Sequence, residues 1–84
     1  MAYAVFLKRT AKRELEELPR RAHDKIVDQL LSLRDHPQPA GADKLHGREG
    51  YRLQIGEYLV LYVISNRERT VEIVSVAHRK AVYR

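Results

Sequence analysis

Cysteine is absent from this chain of 84 residues. Its absence excludes a disulfide framework, thiol catalysis and thiolate metal sites. The fold must therefore depend on a hydrophobic core, and the composition suits a reducing compartment. We expect a cytoplasmic protein.

Long hydrophobic runs are also lacking. The apolar run at residues 3–7 is followed at once by Lys8 and Arg9, so it is far shorter than the roughly 20 residues of a membrane span and too soon charged for a signal peptide. We therefore expect no membrane partner and read the run as a first strand. The loop-like stretch at residues 36–43 is too short to link two domains, so residues 1–84 are predicted to form a single domain.

Motifs that bind cofactors are missing as well. No glycine loop is followed by Lys-Ser or Lys-Thr, and no serine lies in a nucleophile elbow. The four histidines, at positions 23, 36, 46 and 78, lack the spacing of a metal site. The sequence predicts neither a metal nor another cofactor.

Positive charge is plentiful. Sixteen Lys and Arg residues against eleven Asp and Glu give a formal net charge of +5, which favours a polyanionic partner such as nucleic acid or an acidic protein segment. Eight basic and four acidic residues lie from Lys44 onward, which accounts for +4 of that total. We expect the second half of the chain to form the polyanion-binding side.

The first half has the pattern of a helical hairpin. Thr10 is predicted to be the N-cap of a first helix, and Pro19 ends that helix and opens a second one. Apolar residues recur at helical spacing along both helices: Ala11, Leu15, Leu18, Ala22, Ile26, Val27, Leu30, Leu31 and Leu33. The second helix is expected to run until Pro37 and Pro39 stop it.

After these prolines the hydrophobic period changes to two. Strands are predicted over residues 51–55, 58–64 and 70–77, with a tight turn at Gly56 and Glu57. The expected fold is α+β with the order β-α-α-β-β-β, in which the helical hairpin covers a three-stranded antiparallel meander and a short C-terminal segment follows. Alternation places Arg52 and Gln54 on the face opposite Leu53 and Ile55.

Residues 78–84 combine an imidazole, three fixed cations and an aromatic ring without an acidic residue. Arginine supplies planar donors for phosphate oxygens, tyrosine a surface for base stacking, and histidine a group that titrates near neutral pH. This composition suits RNA binding and proton transfer. The alternative interpretation is a solvated basic tail.

The element order, the segment YRLQIGEYLVLY at residues 51–62 and the segment VAHRKAVYR at residues 76–84 resemble the RelE toxins of bacterial and archaeal toxin–antitoxin pairs. The resemblance implies a metal-independent, ribosome-dependent mRNA endoribonuclease. In this reaction the RNA 2′-OH attacks its own phosphate and leaves a 2′,3′-cyclic phosphate and a 5′-hydroxyl. The implied partners are mRNA on the ribosome and a cognate antitoxin that wraps around the toxin.

The resemblance also implies roles for individual residues. Arg52 and Arg79 lie where the family places basic residues that stabilise the phosphate. His78 fits an acid–base position, and Tyr83 matches a tyrosine that stacks on a base or orients the attacking hydroxyl. Further RNA contacts are expected from Arg48, Lys80 and Arg84.

Two positions depart from the family pattern. Gln54 replaces a strand lysine, and Leu59 stands where the family motif usually has arginine. Losing one such cation costs on the order of 3 kcal/mol, or about a hundredfold in rate, if it acts as an oxyanion donor does. Three alternatives remain: an attenuated mRNA endoribonuclease, a ParE-like inhibitor of DNA gyrase, and an inactive toxin fold that only binds its antitoxin.

Overall fold

The computed structural model describes residues 2–82. Within that range the elements are β1 (Ala4–Leu7), α1 (Arg9–Glu16), α2 (Arg20–Ser32), β2 (Ala42–Lys44), β3 (Tyr51–Ile55), β4 (Tyr58–Ser65), β5 (Thr70–His78) and α3 (Arg79–Val82). The predicted α+β order of one strand, two helices and three strands is confirmed. The short strand β2 and the four-residue helix α3 are additional to it. Across residues 2–82, no helix is both long and apolar enough to span a membrane.

The strands form a five-stranded sheet in the order β1-β5-β4-β3-β2. β3, β4 and β5 pair antiparallel as predicted, and Gly56 has the positive φ of 61° that the tight turn between β3 and β4 requires. β1 pairs parallel with β5. This pairing is possible because the helical hairpin of α1 and α2 carries the chain across the sheet from β1 at one edge to β2 at the other.

One face of the sheet, which we call the helix face, packs against α1 and α2. Its buried residues are Leu53, Ile55, Val60, Tyr62, Val71, Ile73 and Val76. The helices contribute Ala11, Leu15, Ile26 and Leu30, and Leu33 follows α2. The prediction that Leu53 and Ile55 pack under the helices is confirmed. Each large side chain buried here contributes roughly 1.5–3 kcal/mol to the free energy of folding.

The opposite face, which we call the outer face, carries polar and apolar residues side by side. Strand pairing aligns two rows across it: Asp43, Arg52, Leu61 and Ser75 in the first, and Gln54, Leu59 and Ala77 in the second. Leu59 is only 3% exposed although it is not part of the core on the helix face. The predicted placement of Arg52 and Gln54 opposite Leu53 and Ile55 is confirmed.

A β-bulge changes the phase of β5. Tyr62 pairs with Ile73 while Leu61 pairs with Ser75, so Val74 is the extra residue. Because side chains alternate between faces, this shift keeps both Ile73 and Val76 on the helix face. It also determines that His78, two residues beyond Val76, lies on the helix face.

The first helix begins earlier than predicted, and Thr10 is not its N-cap. Lys8 occupies that position, and Thr10 Oγ1 donates a hydrogen bond to the Val74 carbonyl at 3.3 Å. Glu14, one turn later, accepts the Val76 N–H at 2.9 Å. The pairing of β1 with β5 stops at Ile73, so the two α1 side chains satisfy backbone groups on the edge of β5 that β1 leaves open.

The second helix ends at Ser32, before the proline pair that was expected to stop it. Leu31, predicted to belong to the apolar stripe, is 46% exposed instead. Beyond the helix, the Tyr62 hydroxyl donates to the Pro37 carbonyl at 2.8 Å and so fixes the loop to the core. Burial, with a smaller contribution from the neighbouring Tyr51 phenol, raises the pKa of Tyr62 to about 12.

Candidate nucleic-acid interface

Arg52 projects from the middle of β3 on the outer face. Its side chain is 42% exposed, and Nη2 lies 3.8 Å from Oδ2 of Asp43 on β2. The ion pair forms because β2 and β3 align these residues directly. The guanidinium is therefore open to an anion from solvent but is partly neutralised by a neighbouring carboxylate.

The next row of the outer face holds no cation. Gln54 Nε2 donates to the Gly56 carbonyl at 3.0 Å, so this amide is engaged with the turn that follows it. Leu59 lies beside Gln54 in the register and is almost fully buried. Arg52 is thus the cation that these two rows carry on the outer face.

Further cations follow the end of β5. Arg79 begins α3, and its backbone N–H donates to the Glu57 carbonyl at 2.8 Å. This bond attaches the start of α3 to the turn between β3 and β4. The side chains of Arg79 and Lys80 are both exposed, so the attachment leaves their charged groups available to a ligand.

His78 lies on the helix face, at the end of β5. It pairs with Tyr58, and the two rings meet edge to face with their centroids 5.3 Å apart. Nδ1 accepts the Lys80 N–H at 3.1 Å. Nε2 lies 3.9 Å from Oε2 of Glu57. The ring is therefore held by strand, turn and helix together.

The structure groups some of the predicted site residues and separates others. His78, Arg79 and Lys80 gather beside the turn between β3 and β4. Arg52 lies on the other face and two strands away, and it is displaced by about three residues, or roughly 10 Å, along the strand direction alone. Arg48 is exposed in the loop between β2 and β3. Tyr83 and Arg84 lie outside the described residues.

Two acidic residues beside this surface were not predicted from sequence. Asp43 falls in the stretch that the sequence predicts to be a loop, because a strand of three residues is too short to show a period of two. The sequence predicts Glu57 only as part of a turn. The signal for Asp43 is the Ala-Asp-Lys run after the prolines, in which Ala42 pairs with buried Leu53 and Asp43 faces the opposite side.

Comparison with known proteins identifies the family. The family model described as the ParE toxin of the type II toxin–antitoxin system, parDE, matches residues 5–83. Toxin RelE of Mycobacterium tuberculosis is 32% identical over 84 residues, which cover 98% of this chain and 87% of that protein.

Solved structures agree with this match. A chain of the toxin–antitoxin complex RelBE2 from Mycobacterium tuberculosis superimposes with a TM-score of 0.85 at 29% identity and covers 94% of this chain and 100% of its own. The archaeal RelE–RelB complex from Pyrococcus horikoshii gives a TM-score of 0.84 at 24% identity, with coverage of 94% and 97%, and shows the shared fold. From the match over residues 5–83 and the 32% identity to a RelE toxin, the chain belongs to the RelE/ParE superfamily of type II toxins.

Proposed function

We propose that this chain is a metal-independent endoribonuclease that cleaves mRNA on the ribosome. The observation that carries the proposal is the set of solvent-accessible cations on and beside the sheet: Arg52 in the middle of β3 on the outer face, and Arg79 and Lys80 directly after β5. Guanidinium groups bind phosphate oxygens in bidentate geometry, through two parallel N–H···O hydrogen bonds. Cleavage by an internal 2′-OH depends mainly on aligning the phosphate and neutralising its developing charge.

In this mechanism Arg52 and Arg79 bind the non-bridging oxygens of the scissile phosphate and stabilise its charge in the transition state. Arginine stays protonated in proteins, so neither residue serves as the base. Tyr83 stacks on a flanking base or orients the attacking 2′-OH, and Arg48, Lys80 and Arg84 bind the neighbouring backbone. The acid–base role of His78 stays a prediction, and both of its ring nitrogens already face groups of the protein.

An antitoxin is the proposed protein partner, since the RelE relatives named above were solved as complexes with RelB. A cleft of about 160 Å³ between β1 and the helices supports this proposal, because Val5, Leu7, Leu15, Val27, Leu30 and Leu31 line it. Exposed Leu7 and Leu31 at this cleft favour an apolar partner segment. Leu31→Asp is expected to weaken antitoxin binding at least tenfold in titration calorimetry while RNA binding is unchanged.

Inhibition of DNA gyrase is the second candidate function. The row of Gln54 and Leu59 holds no cation. This favours gyrase inhibition, because a protein that inhibits by binding needs no phosphate-binding group at that row. The family model that matches the chain is also a model of the ParE toxin.

One paired assay separates the candidates. Purified protein is added to end-labelled mRNA on translating ribosomes, with ribosome-free RNA alongside, and in parallel to gyrase and relaxed plasmid. An endoribonuclease cuts the mRNA in the decoding site, and its products carry a 2′,3′-cyclic phosphate. Loss of supercoiling with intact mRNA would contradict the proposal and establish the gyrase alternative.

A further inference from the structure

His78 occupies the junction between β5 and α3. β5 ends at His78 and α3 begins at Arg79, with no residue between them. The residue immediately before a helix is its N-cap, whose side chain accepts a backbone N–H of the second or third helical residue. The Lys80 N–H, second in α3, donates to His78 Nδ1 at 3.1 Å. The imidazole therefore makes the hydrogen bond that Ser, Asp or Asn makes in an ordinary cap.

This hydrogen bond fixes where the imidazole proton resides. A ring nitrogen that accepts an N–H has no proton of its own, so neutral His78 carries its proton on Nε2. Nε2 faces the Glu57 carboxylate at 3.9 Å, and the ring meets Tyr58 edge to face. While the cap is intact, the one lone pair able to take a proton from a 2′-OH is already used.

The turn between β3 and β4 forms a second attachment for the same segment. The Arg79 N–H donates to the Glu57 carbonyl at 2.8 Å, and the Glu57 carboxylate faces the His78 ring. Successive backbone N–H groups of Arg79 and Lys80 are thus held by Glu57 and His78. These bonds set the direction in which α3 leaves the sheet.

We infer that His78 is a positioning residue, which caps α3 and directs Arg79 toward the RNA, rather than the base of the reaction. The inference on catalysis rests on the proposed endoribonuclease function, whereas the inference on capping does not. An acid–base residue must exchange a proton with the substrate. A capping residue needs only an acceptor atom in the right place, which Oδ1 of asparagine supplies at the same distance along the side chain.

The test compares His78→Asn, which keeps the acceptor, with His78→Ala, which removes it. His46→Asn is the matched control, since His46 is exposed in the loop between β2 and β3. Two measurements are made on each variant: hydrogen exchange of the Lys80 amide by NMR, and mRNA cleavage on ribosomes. The nitrogen shifts of the wild-type imidazole report independently which ring nitrogen carries the proton.

We expect His78→Asn and His46→Asn to keep the Lys80 amide protection and the cleavage rate within about twofold of wild type. In His78→Ala the Lys80 amide should exchange about fivefold faster, the factor that corresponds to a typical cap of about 1 kcal/mol, and cleavage should fall by at least that factor.

A proton on Nδ1, or unchanged Lys80 exchange in His78→Ala, would overturn the capping role. A His78→Asn variant with a protected Lys80 amide but no cleavage would overturn the positioning role and restore the acid–base role. If the wild type cleaves no mRNA, the proposed function fails, and the exchange and imidazole measurements still decide the capping role.

Discussion

The two faces of the sheet differ in that α1 and α2 cover one of them and not the other. Val60, on the helix face, is fully buried in the core, while its neighbour Leu59 is buried on the outer face beside Gln54 and Ala77. One strand therefore carries a core residue and a residue of the proposed RNA surface at adjacent positions. Because side chains alternate between faces along β4, a substitution at Leu59 lies on the opposite side of the sheet from the packing under the helices.

The largest predicted effect comes from placing the same charge on each face. Val60→Arg should prevent stable folding, since burial of an unpaired cation in the core costs more than the total stability of many small domains. Leu59→Arg also replaces a buried leucine, so it should lower the free energy of unfolding by about 2–3 kcal/mol, which is less than the effect of Val60→Arg because the arginine stem can lie along the outer face while its head reaches solvent. Urea unfolding of both variants measures the difference. Equal destabilisation would contradict the separation of the two faces.

Leu59→Arg also tests the proposed activity. An additional guanidinium beside Arg52 should raise the rate of mRNA cleavage by up to about a hundredfold if it binds the scissile phosphate together with Arg52 and Arg79. Leu59→Gln is the matched control, since it is polar but uncharged. Equal rates in the two variants would show that a cation at this position plays no part in cleavage.

A smaller effect is expected at Tyr62, on the helix face. Tyr62→Phe removes the hydrogen bond to the Pro37 carbonyl and should lower the free energy of unfolding by about 1 kcal/mol at neutral pH. RNA binding should be unchanged, since this side chain lies on the helix face. Thermal unfolding and RNA titration of the same samples make the comparison.

The pH dependence of Tyr62 sharpens that prediction. The folded-state pKa is raised to about 12, above the ordinary tyrosine pKa of about 10. The folded protein therefore holds the phenolic proton more tightly, so its stabilising effect is complete below pH 10 and is lost as the pH rises from about 10 to 12. The stability of Tyr62→Phe should fall less over that range.

The sequence predicted the two faces of β3 because alternation over five residues is enough to separate Leu53 and Ile55 from Arg52 and Gln54. It did not predict the face of His78. The Val74 bulge shifts the phase of β5 by one residue, and only the adjacent apolar pair Ile73 and Val74 marks the shift in sequence. A functional side chain beyond a bulge therefore needs the structure to assign its face.

Contacts between residues far apart in the chain likewise could not be predicted from the sequence. Thr10 has the residue type of an N-cap, yet its hydroxyl bonds to Val74, 64 residues away, because β1 ends and leaves part of the edge of β5 open. Local propensity cannot report such a partner. Asp43 was missed for the same reason, since its significance depends on β2 lying beside Arg52.

The smallest predicted effect concerns this Asp43 carboxylate on the outer face. Asp43→Asn removes the partner of Arg52 and should strengthen binding of single-stranded RNA about threefold at low salt, with a stability change below about 1 kcal/mol because the ion pair is exposed. The gain should shrink as salt is raised. Fluorescence anisotropy with labelled RNA measures it. Asp35→Asn gives the same change in net charge on an exposed loop after α2, and an equal gain in that variant would show a general charge effect only.

The central claim is that Arg52 on the outer face and Arg79 after β5 perform RNA cleavage while the helix face maintains the fold. The most direct measurement is nucleotide-resolution cleavage of mRNA on translating ribosomes by wild type, Arg52→Gln, Arg79→Gln and, as control, Arg67→Gln in the exposed turn between β4 and β5. Wild type and Arg67→Gln should cut in the decoding site at equal rates. The other two variants should be slower by about a hundredfold with unchanged melting temperatures. Cleavage at the wild-type rate by Arg52→Gln and Arg79→Gln would contradict the account.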